Sequence, residues 1–552
     1  MQEKDPSSSV DTVRPEGAAT RAEPVIRELT HREILTVLSG LLMALFVANL
    51  SGTIAGNAMP TIAASLGSTQ QEYTWIVTGA LLTSTASTPI WGKLSDLFHK
   101  KLLLMVGLTI FAVGSIASGL AWNTLALVGA RAIQGVGLGA IMALVQAIIG
   151  SIIPPRQRGR YMAYTGAVMA VATVLGPLAG GFIVDQPYLG WRWCFWSAVP
   201  FAIASMIVLR LKLHVPFLRK DGTRIDWLGC VLVTMATSAL LIMVSFGGNE
   251  YPWNSWPTYA LGAGVVVMTV AFVFVEGRVQ NPIIPLPILT MRTTALASIA
   301  SVVVGVGMFG GSVFLGQYFQ LARGFAPTEA GLLMIPMMAG VLLSSLFGGR
   351  LVTRIGLWKP FVLVGTVLLA VGFGLLGTMT VTTPIWLLGV YMTVTGLGVG
   401  MTLQNLVLAV QNSISIRDVG AASATVTFFR SLGGVVGIQV LGAVFEARVV
   451  ALSSDPIAQT VAALVKTGKL TAAKAQELLA GDHSSLDLSV LPPQISDIVR
   501  DAYGNSIGLL FDIGAATTVL ALIAVCLMKS TQLRSKFDTS ASVGSGHVHK
   551  AH

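Results

Sequence analysis

Runs of apolar residues long enough to cross a membrane follow one another from residue 34 to residue 528, separated by short polar breaks. An α-helix needs about 20 residues, at ~1.5 Å each, to span a hydrocarbon layer of ~30 Å. Lipid offers no hydrogen-bond partners, so a chain of such runs can form only a helical bundle or a closed barrel. The runs are continuous and not alternating, which excludes the barrel. Charged residues make up 11% of the chain and hydrophobic ones 53%, against about 25% charged in a typical soluble domain. The sequence predicts an all-α polytopic membrane protein.

Fourteen helices are expected. The first eight lie near 34–60, 73–95, 102–121, 124–152, 160–184, 193–211, 227–246 and 257–276. The other six lie near 293–321, 328–348, 360–379, 385–412, 419–446 and 506–528. Lysine and arginine concentrate in alternate loops, at Lys100 and Lys101, at Arg156, Arg158 and Arg160, at Arg350, Arg354 and Lys359, and at Arg417. Basic loops stay cytoplasmic, so both termini are expected inside a cell (inner or plasma) membrane. The net charge of +10 expresses this bias, and no nucleic-acid partner is expected. The segment 447–505 then lies outside, with two helix-like stretches, "PIAQTVAALVKTG" and "LTAAKAQELLAG"; it reads as a solvated cap or as a docking site.

Several chemistries are unsupported. Cys194, Cys230 and Cys526 are too scattered for a disulfide framework or metal site, and no Gly-Lys-Ser/Thr loop for ATP phosphates is present. No cleavable signal peptide is expected in the polar first 30 residues. The seven histidines, His31, His99, His214, His483, His547, His549 and His552, fall in loops and tails, with no nucleophile–base pairing to suggest an enzyme. The tail "HVHKAH" reads as a disordered end more readily than as a metal site. No cofactor and no obligatory protein partner are expected.

The chain repeats itself. "GKLSDLFHKK" begins at Gly92 and "GRLVTRIGLWK" at Gly349, 257 residues apart (349 − 92). "GVGLGA" begins at Gly135 and "GLGVGM" at Gly396, 261 apart (396 − 135). Two related six-helix bundles follow, with two helices inserted between them, an arrangement suited to alternating access. The expected divisions are a polar tail 1–32, a first bundle 33–211, a basic loop with two inserted helices 212–291, a second bundle 292–529 including loop 447–505, and a tail 530–552.

Certain residues are costly in lipid. "VATVLGPLAGGF" places Gly176, Pro177, Gly180 and Gly181 inside a span, where proline breaks the hydrogen-bond ladder and glycine lets another helix approach. Arg131 lies roughly 13 Å and Arg430 roughly 18 Å from their helix ends at ~1.5 Å per residue. Such arginines normally face a cavity or a partner. Gln134 is three residues beyond Arg131 and shares its face. Carboxylates fall at span ends, among them Glu72, Asp185, Asp226, Glu276, Glu329 and Glu446, except Asp512 in the last helix, a candidate proton site.

"GKLSDLFHKKLLL", "ARAIQGVGLGA" and "AVATVLGPLAGG" resemble, in order, the loop signature, the fourth-helix motif and the fifth-helix antiporter motif of the major facilitator superfamily. "QYFQLARGFAPTEAGLLMIP" (317–336) and "FFRSLGG" (428–434) resemble its fourteen-helix drug:proton antiporter branch. The resemblance spans residues 34–530 and implies an exporter of lipophilic or amphipathic small molecules, working in exchange for protons. It implies a conformational latch at Gly92, Asp96, Lys100 and Lys101, and a fourth-helix motif at Arg131, Gln134 and Gly135. It makes Gly176, Pro177, Gly180 and Gly181 a bent seam between the halves. The pathway would be lined by Asn49, Ser51, Asn57, Gln317, Gln320, Gln404, Asn405 and Arg430, although each amide also suits plain interhelical hydrogen bonding. The sequence departs from the pattern at Leu97 and His99, and at Ser51, where the branch carries an acid. Fixed positive charge without that acid points to neutral, amphipathic or anionic substrates. Export of an endogenous lipid or envelope component is the second reading; a membrane transferase and a non-transporting sensor are the third and fourth.

Overall fold

The structure, a computed structural model, describes residues 31–68, 70–186, 188–213, 226–248, 251–279, 282–466 and 493–535. The first bundle comprises α1 (His31–Ser65), α2 (Gln70–Leu97), α3 (Lys100–Leu120), α4 (Thr124–Ile152), α5 (Pro155–Asp185) and α6 (Trp193–Lys212). The inserted pair is α7 (Trp227–Phe246) and α8 (Trp256–Glu276). The second bundle comprises α9 (Arg292–Ala322), α10 (Thr328–Ile355), α11 (Lys359–Gly377), α12 (Ile385–Ser413), α13 (Val419–Lys466) and α14 (Pro493–Leu527). No strand occurs among the described residues.

Thirteen of these helices are long and apolar enough to cross a membrane. The fourteenth, α2, carries hydroxyls through its middle and satisfies them internally. Thr83 Oγ1 reaches Gly79 O at 3.0 Å and Ala132 O of α4 at 2.8 Å, and Thr88 Oγ1 donates to Ser84 O at 2.7 Å.

The sequence repeat is a packing repeat. In the first bundle α4 packs on α2 and α3, and α1 on α5 and α6; in the second, α12 packs on α10 and α11, and α9 on α13 and α14. Glycines at alternate positions decide this. A Cβ at Gly135 or Gly139 would overlap α2, and one at Gly137 would overlap Phe111 of α3. Gly396 and Gly400 face α10 in the same way, while Gly398 faces α11. Water does not drive helices together in lipid, so close backbone contact has to.

Two elements are longer than expected. α13 continues through Pro456 to Lys466, and α14 begins at Pro493, where the sequence suggested helices ending at 446 and starting at 506. Beyond the apolar core, Val449, Ser453, Ile457 and Val461 are buried at intervals of four. Ile495, Val499, Ala502 and Tyr503 are buried on α14, and the two helices pack together. Mixed charge on the solvent side hid this stripe. "LTAAKAQELLAG" lies outside the described residues, as do the tails 1–30 and 536–552.

Gly398 gives a direct test of the packing, since a Cβ there would sit 2.5 Å from Leu369 N and 2.8 Å from Gly365 O. Gly398→Val is expected to cost about 1–3 kcal/mol or more and to lower the melting temperature of the purified protein. Gly264→Val, with nothing within 4 Å, is expected to leave it unchanged.

Candidate functional site

Hydrogen bonds between the two bundles gather at the basic face, the end carrying Lys100, Arg156, Lys359 and Arg417. Here α2 crosses α13, and Gly92 is the crossing point because any Cβ would overlap Ala424. One turn on, the Asp96 carboxylate reaches the first turn of α13. Oδ1 accepts from Gly420 N at 2.9 Å and Oδ2 from Ala421 N at 2.7 Å. The first amides of a helix have no intrahelical partner and carry partial positive charge, so an acid from the opposite bundle caps α13. Lys100, Lys93 and Asp418 are the charged groups around this carboxylate. Lys101, expected in the latch, is turned away, and its Nζ donates to Arg210 O at 2.7 Å at the end of α6.

The repeat supplies a neutral copy of this contact. Gly349 of α10 faces Gly159 and Ala163 of α5, as Gly92 faces Gly420 and Ala424; both pairs are 261 apart (420 − 159 and 424 − 163). Arg160 N donates to Thr353 Oγ1 at 3.0 Å, where Thr353 stands 257 beyond Asp96 (353 − 96). The sequence reading missed Thr353, although the offset that identifies it was available.

Further bonds close the same face. Arg158 is fully buried; Nε donates to Ile153 O at 2.7 Å, Nη2 to Gly150 O, and Nη1 to Gln411 Oε1 of α12 at 3.3 Å. It thus caps the carbonyl end of α4 and bridges to the second bundle. Gln411 Nε2 reaches Gln146 O at 3.2 Å and Ser423 Oγ at 2.8 Å, and Gln146 Nε2 reaches Gln404 Oε1 at 3.3 Å. A segment after α14 lies across both bundles, with Leu533 N donating to Gly356 O at 2.9 Å and Arg156 N to Arg534 O at 3.0 Å.

Deeper in the first bundle, Arg131 (5% exposed) donates from Nη1 to Gln134 Oε1 at 2.6 Å. Gln134 Nε2 lies 3.1 Å from Ser51 Oγ and 2.8 Å from Ser115 Oγ. Ser51 and Gln134 were expected to face the pathway. They instead tie α1, α3 and α4 together, because a buried amide with hydroxyls in reach satisfies itself there. Arg131 Nε has no partner, and its guanidinium lies 5.8 Å from the Phe195 ring centre. In the second bundle Arg430 is 6% exposed, and its Nη1 is buried without a hydrogen-bond partner.

The other expected pathway residues divide. Asn49 Nδ2 donates to Leu45 O at 2.8 Å and Asn405 Nδ2 to Met401 O at 2.7 Å, each within its own helix. Gln404 lies in the cross-bundle seam. Gln317 is partly buried with Oε1 unpartnered, and Gln320 is exposed. The side chains of Asn57 and Pro177 lie outside the described residues.

Two expectations are corrected. Gly176 and Gly180 pack within the first bundle and form no seam between halves: a Cβ at Gly176 would overlap Thr53, and one at Gly180 would sit 3.1 Å from Ile54 O. Space left by glycine brings Thr53 Oγ1 within 3.3 Å of Ala172 O, a donor supplied to α5 by its neighbour. Gly181 does approach the second bundle, where a Cβ would sit 3.8 Å from Thr328 Oγ1, but α5 meets α10 chiefly at Gly159 and Gly166. Asp512 is exposed and level with Gly377, the last residue of α11. Since α11 starts at the basic face with Lys359, this acid sits toward the opposite end and outside the bundle interior.

Matched six-helix bundles, locked together at one face, define a multi-pass membrane transporter. A model of the Major Facilitator Superfamily matches residues 41–438. The chain is 34% identical over 472 residues to the multidrug transporter protein MdtP of Bacillus subtilis (strain 168), covering 85% of this chain and 86% of that one. It is 30% identical over 500 residues to multidrug resistance protein 3 of the same organism, covering 90% and 96%. A solved structure of the proton:xylose symporter XylE shares the fold, with a TM-score of 0.58 at 15% identity over 89% of this chain and 95% of that one. The chain belongs to the major facilitator superfamily.

Asp96→Asn removes one charge-assisted acceptor at the cross-bundle contact, worth about 1.5–3 kcal/mol. Ser423, fully buried in the seam, serves as reporter when changed to cysteine in a chain freed of native cysteines. Its labelling by a thiol reagent is expected to rise roughly 10- to 100-fold in the Asp96→Asn protein, and an unchanged rate would remove Asp96 from the lock.

Proposed function

We propose that this protein is a secondary active exporter, moving lipophilic or amphipathic small molecules out of the cytoplasm by alternating access in exchange for protons. The observation that carries the reading is the capping of α13 by Asp96 across the bundles. Such a bond exists only while the basic face is closed. Residues 33–211 and 292–529 are the units that rock, with 212–291 riding between them. The basic face is cytoplasmic on the positive-inside bias, which puts both termini inside the cell membrane. In this state the chain is sealed toward the cytoplasm.

The names of the two Bacillus relatives support the direction and the drug-like substrate class. Arg131 and Arg430, each with a buried nitrogen lacking a partner, support a preference within that class. An intramembrane guanidinium disfavours a second positive charge nearby. Neutral and anionic amphipaths are therefore the preferred cargo, and dications are disfavoured.

Everted vesicles containing the protein are expected to accumulate a neutral or anionic amphipathic dye when acidified inside, and an uncoupler is expected to abolish the uptake. A rate indifferent to the proton gradient would reduce the protein to a facilitator. Transport of ethidium-like cations in preference to neutral dyes would overturn the substrate assignment.

A further inference from the structure

The exporter reading leaves the proton without a residue, since Ser51 replaces the expected acid and Asp512 is exposed. The inserted helices hold an alternative. Asp226 precedes α7, and its Oδ1 accepts from Gly229 N at 2.8 Å. Glu276 ends α8, and its Oε1 accepts from Ile283 N at 2.9 Å and Ile284 N at 3.2 Å. The two acids are 7% and 3% exposed. The second oxygen of each, Asp226 Oδ2 and Glu276 Oε2, is buried with no hydrogen-bond partner. Around them lies an apolar cluster of Cys230, Val233, Phe272, Ile283 and Ile284, with Ile90 of α2 packed against it.

Such a site does not hold two bare carboxylates readily. An unpartnered anion away from water is costly and is relieved by taking a proton. Two neighbouring acids repel one another, so one of the pair is driven to neutralise. Asp226 caps the start of α7, and Glu276 sits at the carbonyl end of α8, where negative charge is not stabilised.

The charged surroundings are few. Glu276 faces Asp226 and Lys93, and the thiol of Cys230 lies near both acids. Arg278, the nearest cation in sequence, is stacked 3.5 Å over the Phe274 ring. Lys93 also faces Asp96, which in turn faces Lys100 and Asp418. Ile90, Lys93 and Asp96 follow at intervals of three on α2, so the lysine stands between the inserted helices and the cross-bundle lock.

We propose that Glu276 and Asp226 form a proton-binding site, with the proton carried on Oε2 of Glu276. Protonation turns the Glu276 carboxylate into a neutral acid and gives its unpartnered oxygen a hydrogen. This deepens the exporter reading and rests on it for its purpose, but the site itself is tested without transport.

Infrared difference spectra of the purified full-length protein, between about pH 8 and pH 5, report protonated carboxyl groups through their C=O stretch. A carboxyl band that grows on acidification is expected in the parent. It is expected to lose one carboxyl's amplitude in Glu276→Gln, and in Asp226→Asn, where the repelling neighbour is gone, that component is expected to move to lower pH. Asp512→Asn is expected to leave that band in place. A band of full size in Glu276→Gln would overturn the site, and an unmoved band in Asp226→Asn would overturn the pair. The two variants are checked for a single folded species by size-exclusion chromatography, and either one alone suffices to contradict the proposal. A diminished band in Glu276→Gln together with uncoupler-insensitive transport in the parent would keep the site and discard proton exchange.

Discussion

A helix that starts inside a protein leaves amides pointing along its axis with nothing to bond, and at the head of α13 those amides are met by a carboxylate from the other bundle. Everything else at the basic face is arranged around that contact. Gly92 lets α2 come close enough, Gly420 leaves room for the carboxylate, and Lys93 and Lys100 stand beside the acid. The strength suits a moving part. Two charge-assisted hydrogen bonds are worth about 1.5–3 kcal/mol each. That holds a closed state without making it permanent, since reversing an equilibrium from 1:99 to 99:1 takes about 5.5 kcal/mol.

The repeat makes this lock half of a pair whose members differ in strength. At the related crossing of α5 and α10, Thr353 accepts from Arg160 N, a neutral bond where the first bundle offers a charged one. Neutral hydrogen bonds contribute about 0.5–1.5 kcal/mol, so one of the two crossings dominates. Arg158 adds a cation at the carbonyl end of α4, complementing the acid at the amide end of α13. Opposite charges at opposite helix ends, each reaching across the seam, give the closed face its specificity.

The helix count, the two bundles and the glycine-built packing were legible in the sequence, because lipid imposes a fixed length per span and a repeat must fold the same way twice. The loop signature was legible for a similar reason, since Asp96 stands one turn from Gly92. Other features depended on neighbours that a linear reading does not show. Ser51 and Gln134 looked like cavity groups until Ser115, distant in sequence, proved to be in bonding range. Gly176 and Gly180 marked a close contact correctly, but the partner was α1 and not the second bundle. Arg158 read as one more loop cation, although it is buried against carbonyls. The long α13 and α14 were hidden because beyond the apolar core each buries one narrow stripe among exposed and charged residues.

The central claim is that the basic face must open for each substrate molecule carried. Gly150 and Gln411 face each other across that seam, with a Cβ at Gly150 expected 3.1 Å from Gln411 Cδ. In a chain freed of Cys194, Cys230 and Cys526, the pair Gly150→Cys and Gln411→Cys can be cross-linked by oxidation. Transport into everted vesicles is predicted to stop on cross-linking and to return on reduction. Transport at the parental rate by fully cross-linked protein would contradict the account.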